Sequence, residues 1–226
     1  DIRKVERSML SYHSFQSARQ PMSSYTHFLG VLLSLIGLPL SVLLYFVKGS
    51  GDPLHLLAAL IFCCSTLALY TTSCVYHFSQ GTPAHINHLR KLDHAMIYVL
   101  IAGSYTPMLM SFYPTKEALV FSLILWIIAA VGIGVKVFWF LPRWVSTAIY
   151  LLMGWSILFD LGLLTRIPTG AIVLLAAGGV SYTIGGVIYG LKKPDLFRAF
   201  GFHELFHCFV LLGSLLHYLV VAIYIL

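Results

Sequence analysis

Apolar residues along the chain gather in long runs broken by short polar joins, and the longest polar stretch lies at the N-terminus. Seven runs stand out: Tyr25–Val47, Leu54–Phe78, Leu92–Tyr113, Glu117–Phe140, Trp144–Leu164, Pro168–Leu191 and His203–Leu226. Each is near the ~20 residues an α-helix needs to cross roughly 30 Å of hydrocarbon. Helices satisfy their own backbone in lipid. The pattern therefore predicts an all-α membrane protein, a seven-transmembrane helix bundle over residues 25–226 behind a polar tail at 1–24. The joins carry helix breakers, among them Gly49-Ser50-Gly51-Asp52-Pro53, Gly81-Thr82-Pro83, Pro114, Pro142, Pro168 and Pro194. Pro39 and Pro107 fall inside the first and third runs, where they predict kinks. Gly186 and Gly190 in the glycine-rich sixth run form a GxxxG pair, read as a helix-packing contact. The tail lacks the apolar core of a signal peptide.

Composition agrees. The 226 residues are 59% hydrophobic and 10% charged, against about 45–50% and 25% in soluble domains. This excludes an ordinary soluble domain, a disordered chain and a coiled coil. Four cysteines are too few for a disulfide-dense scaffold. The net charge of +6 comes without a long basic run, so no nucleic-acid partner is expected. Its placement reports orientation instead. Arg3, Lys4, Arg7 and Arg19 in the tail, Arg90 and Lys91, Lys136 and Arg143, and Lys192, Lys193 and Arg198 fall on one side, eleven against the three of Lys48, Lys116 and Arg166. The positive-inside rule then predicts a cytoplasmic N-terminus and an outside C-terminus in a multi-pass cell-membrane protein.

Against this background a few ionisable residues are conspicuous. The second run ends with Ser73 and His77, four apart on one helix face; the third begins with Asp93; the seventh opens with His203 and His207, again four apart. The predicted topology carries all of them to the cytoplasmic end. Three neutral imidazoles suit a zinc ion with a fourth position left for water, which zinc acidifies. Asp93 is then cast as the group that orients or deprotonates that water, or alternatively as a charge favoured by a helix N-terminus. Ser73 either hydrogen-bonds water or a substrate carbonyl, or bonds its own helix backbone. His203-Glu204-Leu205-Phe206-His207 also reads as HExxH, with Glu204 as the base of an intramembrane metalloprotease. His27 is the substitute ligand, His94 is expected to point away, and His217 lies about 15 Å deeper, too far to share the metal. Asp160 is expected in a structural pairing near Arg166.

The Ser73-x-x-x-His77 pair, Asp93 sixteen residues on and the His203-x-x-x-His207 pair resemble the progestin and adiponectin receptor superfamily. The stretch from Leu92-Asp93-His94-Ala95-Met96 to Ser104-Tyr105-Thr106-Pro107 resembles its bacterial branch, the hemolysin III family, and the resemblance runs from about Thr26 to the C-terminus. It implies seven helices, a cytoplasmic N-terminus and an intramembrane zinc held by His77, His203 and His207, with Asp93 and Ser73 around the bound water. It also implies a bacterial plasma membrane setting, a role in membrane lipid homeostasis and ceramidase-like hydrolysis of lipid amides or esters, with membrane lipids and a ceramide-like or acyl lipid as partners. The sequence departs from the family in Arg19-Gln20-Pro21-Met22-Ser23-Ser24-Tyr25, where acidic residues and an Asn often precede the Thr-His of the first helix. Two further readings stand beside hydrolysis: a receptor or regulator with structural zinc, and a lytic protein, which would need a continuous polar lining that the seven runs do not offer.

Overall fold

The computed structural model describes residues 17–49, 51–139, 141–197 and 200–226. The tail residues Arg3, Lys4, Arg7 and His13, together with Phe140 and Arg198, lie outside the described residues.

Local signals set the helix boundaries. α1 (Pro21–Lys48) starts at a proline, whose fixed φ suits the first helical position, and ends on Gly49 in the left-handed conformation at φ 67°. It begins within the predicted tail. α2 (Pro53–Phe78) is capped by the Asp52 carboxylate, which accepts from Leu54 N at 2.8 Å. α3 (Pro83–Phe112) begins nine residues before the expected span, behind the Thr82 cap. α4 (Thr115–Phe138) follows the expected run. Pro39 and Pro107 sit within α1 and α3, each of which continues past its proline.

The fifth run is not one helix. It divides into α5 (Arg143–Gly154), a 3-10 turn (Ser156–Phe159) and α6 (Leu161–Leu164). Tyr105 of α3 sits at the break: its hydroxyl donates to Gly154 O at 2.7 Å and accepts from Ile157 N at 3.0 Å. It thus pairs two backbone groups that the broken helix leaves open, which lipid could not do. α7 (Thr169–Leu191) and α8 (Phe202–Val220), with a closing π turn (Val221–Ile225), complete the chain. Among the described residues, six helices are long and apolar enough to cross a membrane; the α5–α6 stretch is the one expected span that is not.

Burial is inverted relative to a soluble protein. The buried positions of α1 include Gly30, Ser34, Gly37 and Ser41, while Leu33, Ile36 and Leu43 are exposed. Lipid is as apolar as leucine, so association rests on close packing and hydrogen bonds rather than on hydrophobic burial. Gly30 shows why: a Cβ there would lie 2.5 Å from Tyr70 Cγ of α2. α3 belongs to both cores, one with α1, α2, α7 and α8 around Phe62, Tyr70 and Leu100, the other with α4 and α5 around Tyr98, Leu109 and Leu125. The GxxxG pair does not act as a pair. A Cβ at Gly186 would meet Leu151 of α5 at 3.3 Å, whereas Gly190 faces open space.

α1 and α8 run parallel. Ser23 bonds Glu204, Thr26 meets His207, Tyr218 bonds Gly37, and Lys48 Nζ donates to Ala222 O at 2.7 Å, with both sequence numbers rising together. The interior between these helices carries neutral hydroxyls along its length, in the Ser34–Thr66, Tyr70–Ser214–Tyr182 and Ser41–Tyr218 contacts. These hydroxyls are bonded to one another.

Candidate metal centre

Three elements build the site: the C-terminal turn of α2, the N-terminal half of α3 and the first turns of α8. His77, His203 and His207 meet there, with one ligand nitrogen from each lying within 4.8 Å of the others. His77 and His207 are each 1% exposed. The Nε2 atoms of His77 and His203 are 3.1 Å apart. Ligands ~2.1 Å from one tetrahedral ion lie roughly 3.4 Å apart. A three-imidazole donor set at this spacing therefore fits a zinc-sized ion, with the third ligand atom needing a modest approach.

Two of the rings are held from behind. His77 Nδ1 meets Gln20 Oε1 at 2.5 Å, and His207 Nδ1 meets Thr26 Oγ1 at 3.0 Å. A neutral oxygen on Nδ1 favours the tautomer with a free Nε2, the arrangement usual behind metal-ligating histidines. Gln20 lies in the stretch that departs from the family pattern, and neither it nor Thr26 was singled out as a site residue. The signal available was slight: polar residues at the start of a helix that topology places at the level of the histidines.

Ser73 and Asp93, 0% and 7% exposed, line one mostly apolar cavity of about 120 Å³ together with His27, His203 and His207. The Ser73 hydroxyl sits beside the Asp93 carboxyl but completes no hydrogen bond there. Ser73 and Asp93 thus share this cavity with His203 and His207, while His77 lines an adjoining one. His27 does not join the three-histidine group; its ring stacks on His207 with centroids 3.5 Å apart, and neither of its nitrogens has a partner among the described residues. His94 corrects the expectation that it points away, because it lines this cavity and its Nε2 is 3.3 Å from Tyr189 Oη. His217 lines the same cavity but is outside the three-histidine group; its Nε2 lies 3.4 Å from Leu175 O.

Glu204 is turned to another task. Its carboxylate accepts from Ser23 Oγ and, at 2.9 Å, from Gly201 N, closing the first turn of α8 onto α1. It lines neither the cavity nor its mouth, so the HExxH reading finds no base in position. Asp160 is paired with Tyr113, whose hydroxyl donates to it at 2.5 Å.

Fold and site together define an α-helical, multi-pass membrane protein with a buried three-histidine cluster beside an aspartate. The chain belongs to the haemolysin-III related family, whose sequence model matches residues 15–218. It is 36% identical over 207 residues to the hemolysin-3 homolog of Bacillus subtilis (strain 168), covering 89% of this chain and 92% of that protein. It is 32% identical over 207 residues to hemolysin-3 of Bacillus cereus, covering 90% of each.

Proposed function

We propose that this family member is a zinc-dependent hydrolase of lipid amide or ester bonds, acting from within the cell membrane in lipid homeostasis. The observation that carries the reading is the sharing of one apolar cavity by His203, His207, Ser73 and Asp93. His77, His203 and His207 would hold a zinc ion, which when bound would supply Lewis-acid polarisation and lower the pKa of a water towards ~7. Asp93 takes a proton from the attacking water at a carboxylate oxygen and returns it to the leaving amine or alkoxide. The Ser73 hydroxyl donates to the carbonyl oxygen of the bond being cleaved. Gln20 and Thr26 keep the His77 and His207 rings aimed, and the apolar walls exclude bulk water from an acyl chain. The accompanying topology is seven crossings with the N-terminus cytoplasmic.

The test uses purified, zinc-loaded protein with a panel of ceramides and acyl lipids. Turnover by the wild type that is lost in Asp93→Ala with zinc retained supports the reading; an inert wild type across the panel sinks it. A second reading, zinc as a staple without catalysis, is favoured by the origin of its ligands on both α2 and α8. It predicts that His77→Ala lowers the melting temperature while Asp93→Ala leaves function intact.

A further inference from the structure

A second cavity, of about 740 Å³, opens over the histidine cluster. His94, Ile97, Tyr150, Tyr189 and His203 line both cavities, so the two are contiguous. Arg90, Lys91, Lys136 and Arg143 line this vestibule, and among the described residues no aspartate or glutamate does. All but Arg90 are half-buried. Their hydrogen bonds go to neutral oxygens: Arg90 to Asn87 Oδ1 at 2.7 Å, Lys91 to Val137 O at 2.6 Å, Lys136 to Ser146 Oγ at 3.2 Å and Arg143 to Tyr189 O at 3.4 Å. Lys136 is close enough to Arg90 and Arg143 to feel the charge of both, offset in part by Asp93 of the inner cavity. Crowding like charges in a partly desolvated space is costly. An anion with several acceptor oxygens relieves that cost and takes up the donors left over, and guanidinium groups suit phosphate in particular. A general excess of cations on one face of a membrane protein needs neither a cavity nor a lining free of carboxylates.

We propose that this vestibule binds a phosphate group, carried on a lipid headgroup or free in solution. A headgroup seated there leaves its acyl part beside the histidines and the apolar inner cavity. The proposal rests on the lipid-hydrolase reading for its biological use, but binding is measured without turnover, so the two fail separately.

The purified chain in neutral detergent is titrated calorimetrically with dioleoyl phosphatidic acid, dioleoylglycerol and inorganic phosphate. Phosphatidic acid is expected to saturate one site, on the order of tenfold or more tighter than dioleoylglycerol, a difference of about 1.4 kcal/mol or more. The R90Q/K136Q variant should lose about that factor, while K192Q/K193Q, with exposed cations outside the vestibule, should not. Should R90Q/K136Q not fold, Arg90→Gln alone, at an exposed position, should show a partial loss. Saturable inorganic phosphate with the same sensitivity to these variants supports the site. Phosphatidic acid binding more tightly than inorganic phosphate assigns the lipid source, and equal affinities assign the free ion. Equal affinity for phosphatidic acid and dioleoylglycerol with no saturable phosphate binding overturns the proposal, as does an equal loss in K192Q/K193Q. Asp93→Ala should bind phosphatidic acid like the wild type even if it turns over nothing.

Discussion

At the scale of single residues, the centre depends on groups remote in sequence from the histidines they hold. Gln20 meets His77 across 57 positions and Thr26 meets His207 across 181. The histidines were legible because spacing of four puts two side chains on one helix face, and because a charge-poor chain makes each ionisable residue conspicuous. Their supports were not legible, since a hydrogen bond between chain-distant neutral residues leaves no periodicity behind. His94 was misplaced for a related reason. Adjacent helix positions diverge by about 100°, yet a cavity wide enough to bridge two faces takes in both Asp93 and His94. Gln20→Ala frees the His77 ring to turn and offers Nδ1 a choice of tautomer. Zinc affinity, measured by competition with a chromogenic chelator, should fall about 10–100-fold. Gln20→Glu, which keeps an acceptor in place, should recover most of it. Wild-type affinity in Gln20→Ala would remove Gln20 from the metal site.

At the scale of elements, hydrophobic runs located six long helices well, because length and apolarity are what a bilayer selects. They could not reveal that the fifth run is broken after Gly154. Trp144–Leu164 is apolar on average, and its few polar residues and Gly154 do not by themselves mark where the backbone leaves the helical path. Nor did they reveal the polar first turns of α3, although the Thr82-Pro83 start signal was present. The break is tolerable because Tyr105 serves as both donor and acceptor to it. Tyr105→Phe keeps the ring that packs in the α3–α4–α5 core and removes only the hydroxyl. Ile157 N–H and Gly154 C=O then lose their partner in an apolar setting. The cost should be about 1–3 kcal/mol, read as a lower melting temperature in detergent with zinc content unchanged. Stability equal to the wild type would mean that water or another group already serves the break.

At the scale of the whole molecule, the parallel course of α1 and α8 bears on the number of crossings. Two parallel helices at the ends of a membrane chain need an odd number of spans between the first and the last inclusive, whereas six spans would make them antiparallel. The α5–α6 stretch is the candidate for the additional crossing. At 1.5 Å per residue α5 covers ~18 Å, and the 3-10 turn and α6 bring the path to roughly 30 Å if it stays near one line. This is enough to span hydrocarbon, provided the backbone groups at the break are paired. Charge supports the same course, because the vestibule cations lie beside His77 at the end where α1 begins, while Lys48 and the last turn of α8 lie at the other. The prediction is that an alkaline phosphatase fused after Leu226 is active in a bacterial host, and that one fused after Lys193 is inactive. A green fluorescent protein at the same two points should give the reverse, dark after Leu226 and bright after Lys193. An active phosphatase after Lys193 together with a bright fluorescent protein after Leu226 would reverse the orientation. Fusions after Tyr113 and Lys193 should report opposite sides, with a fusion after Trp139 on the side of Lys193 and one after Ile167 on the side of Tyr113; Tyr113 and Lys193 reporting the same side would mean that the α5–α6 stretch does not cross. That alternation singles out the broken segment, because a re-entrant α5–α6 would leave Trp139 and Ile167 on one side.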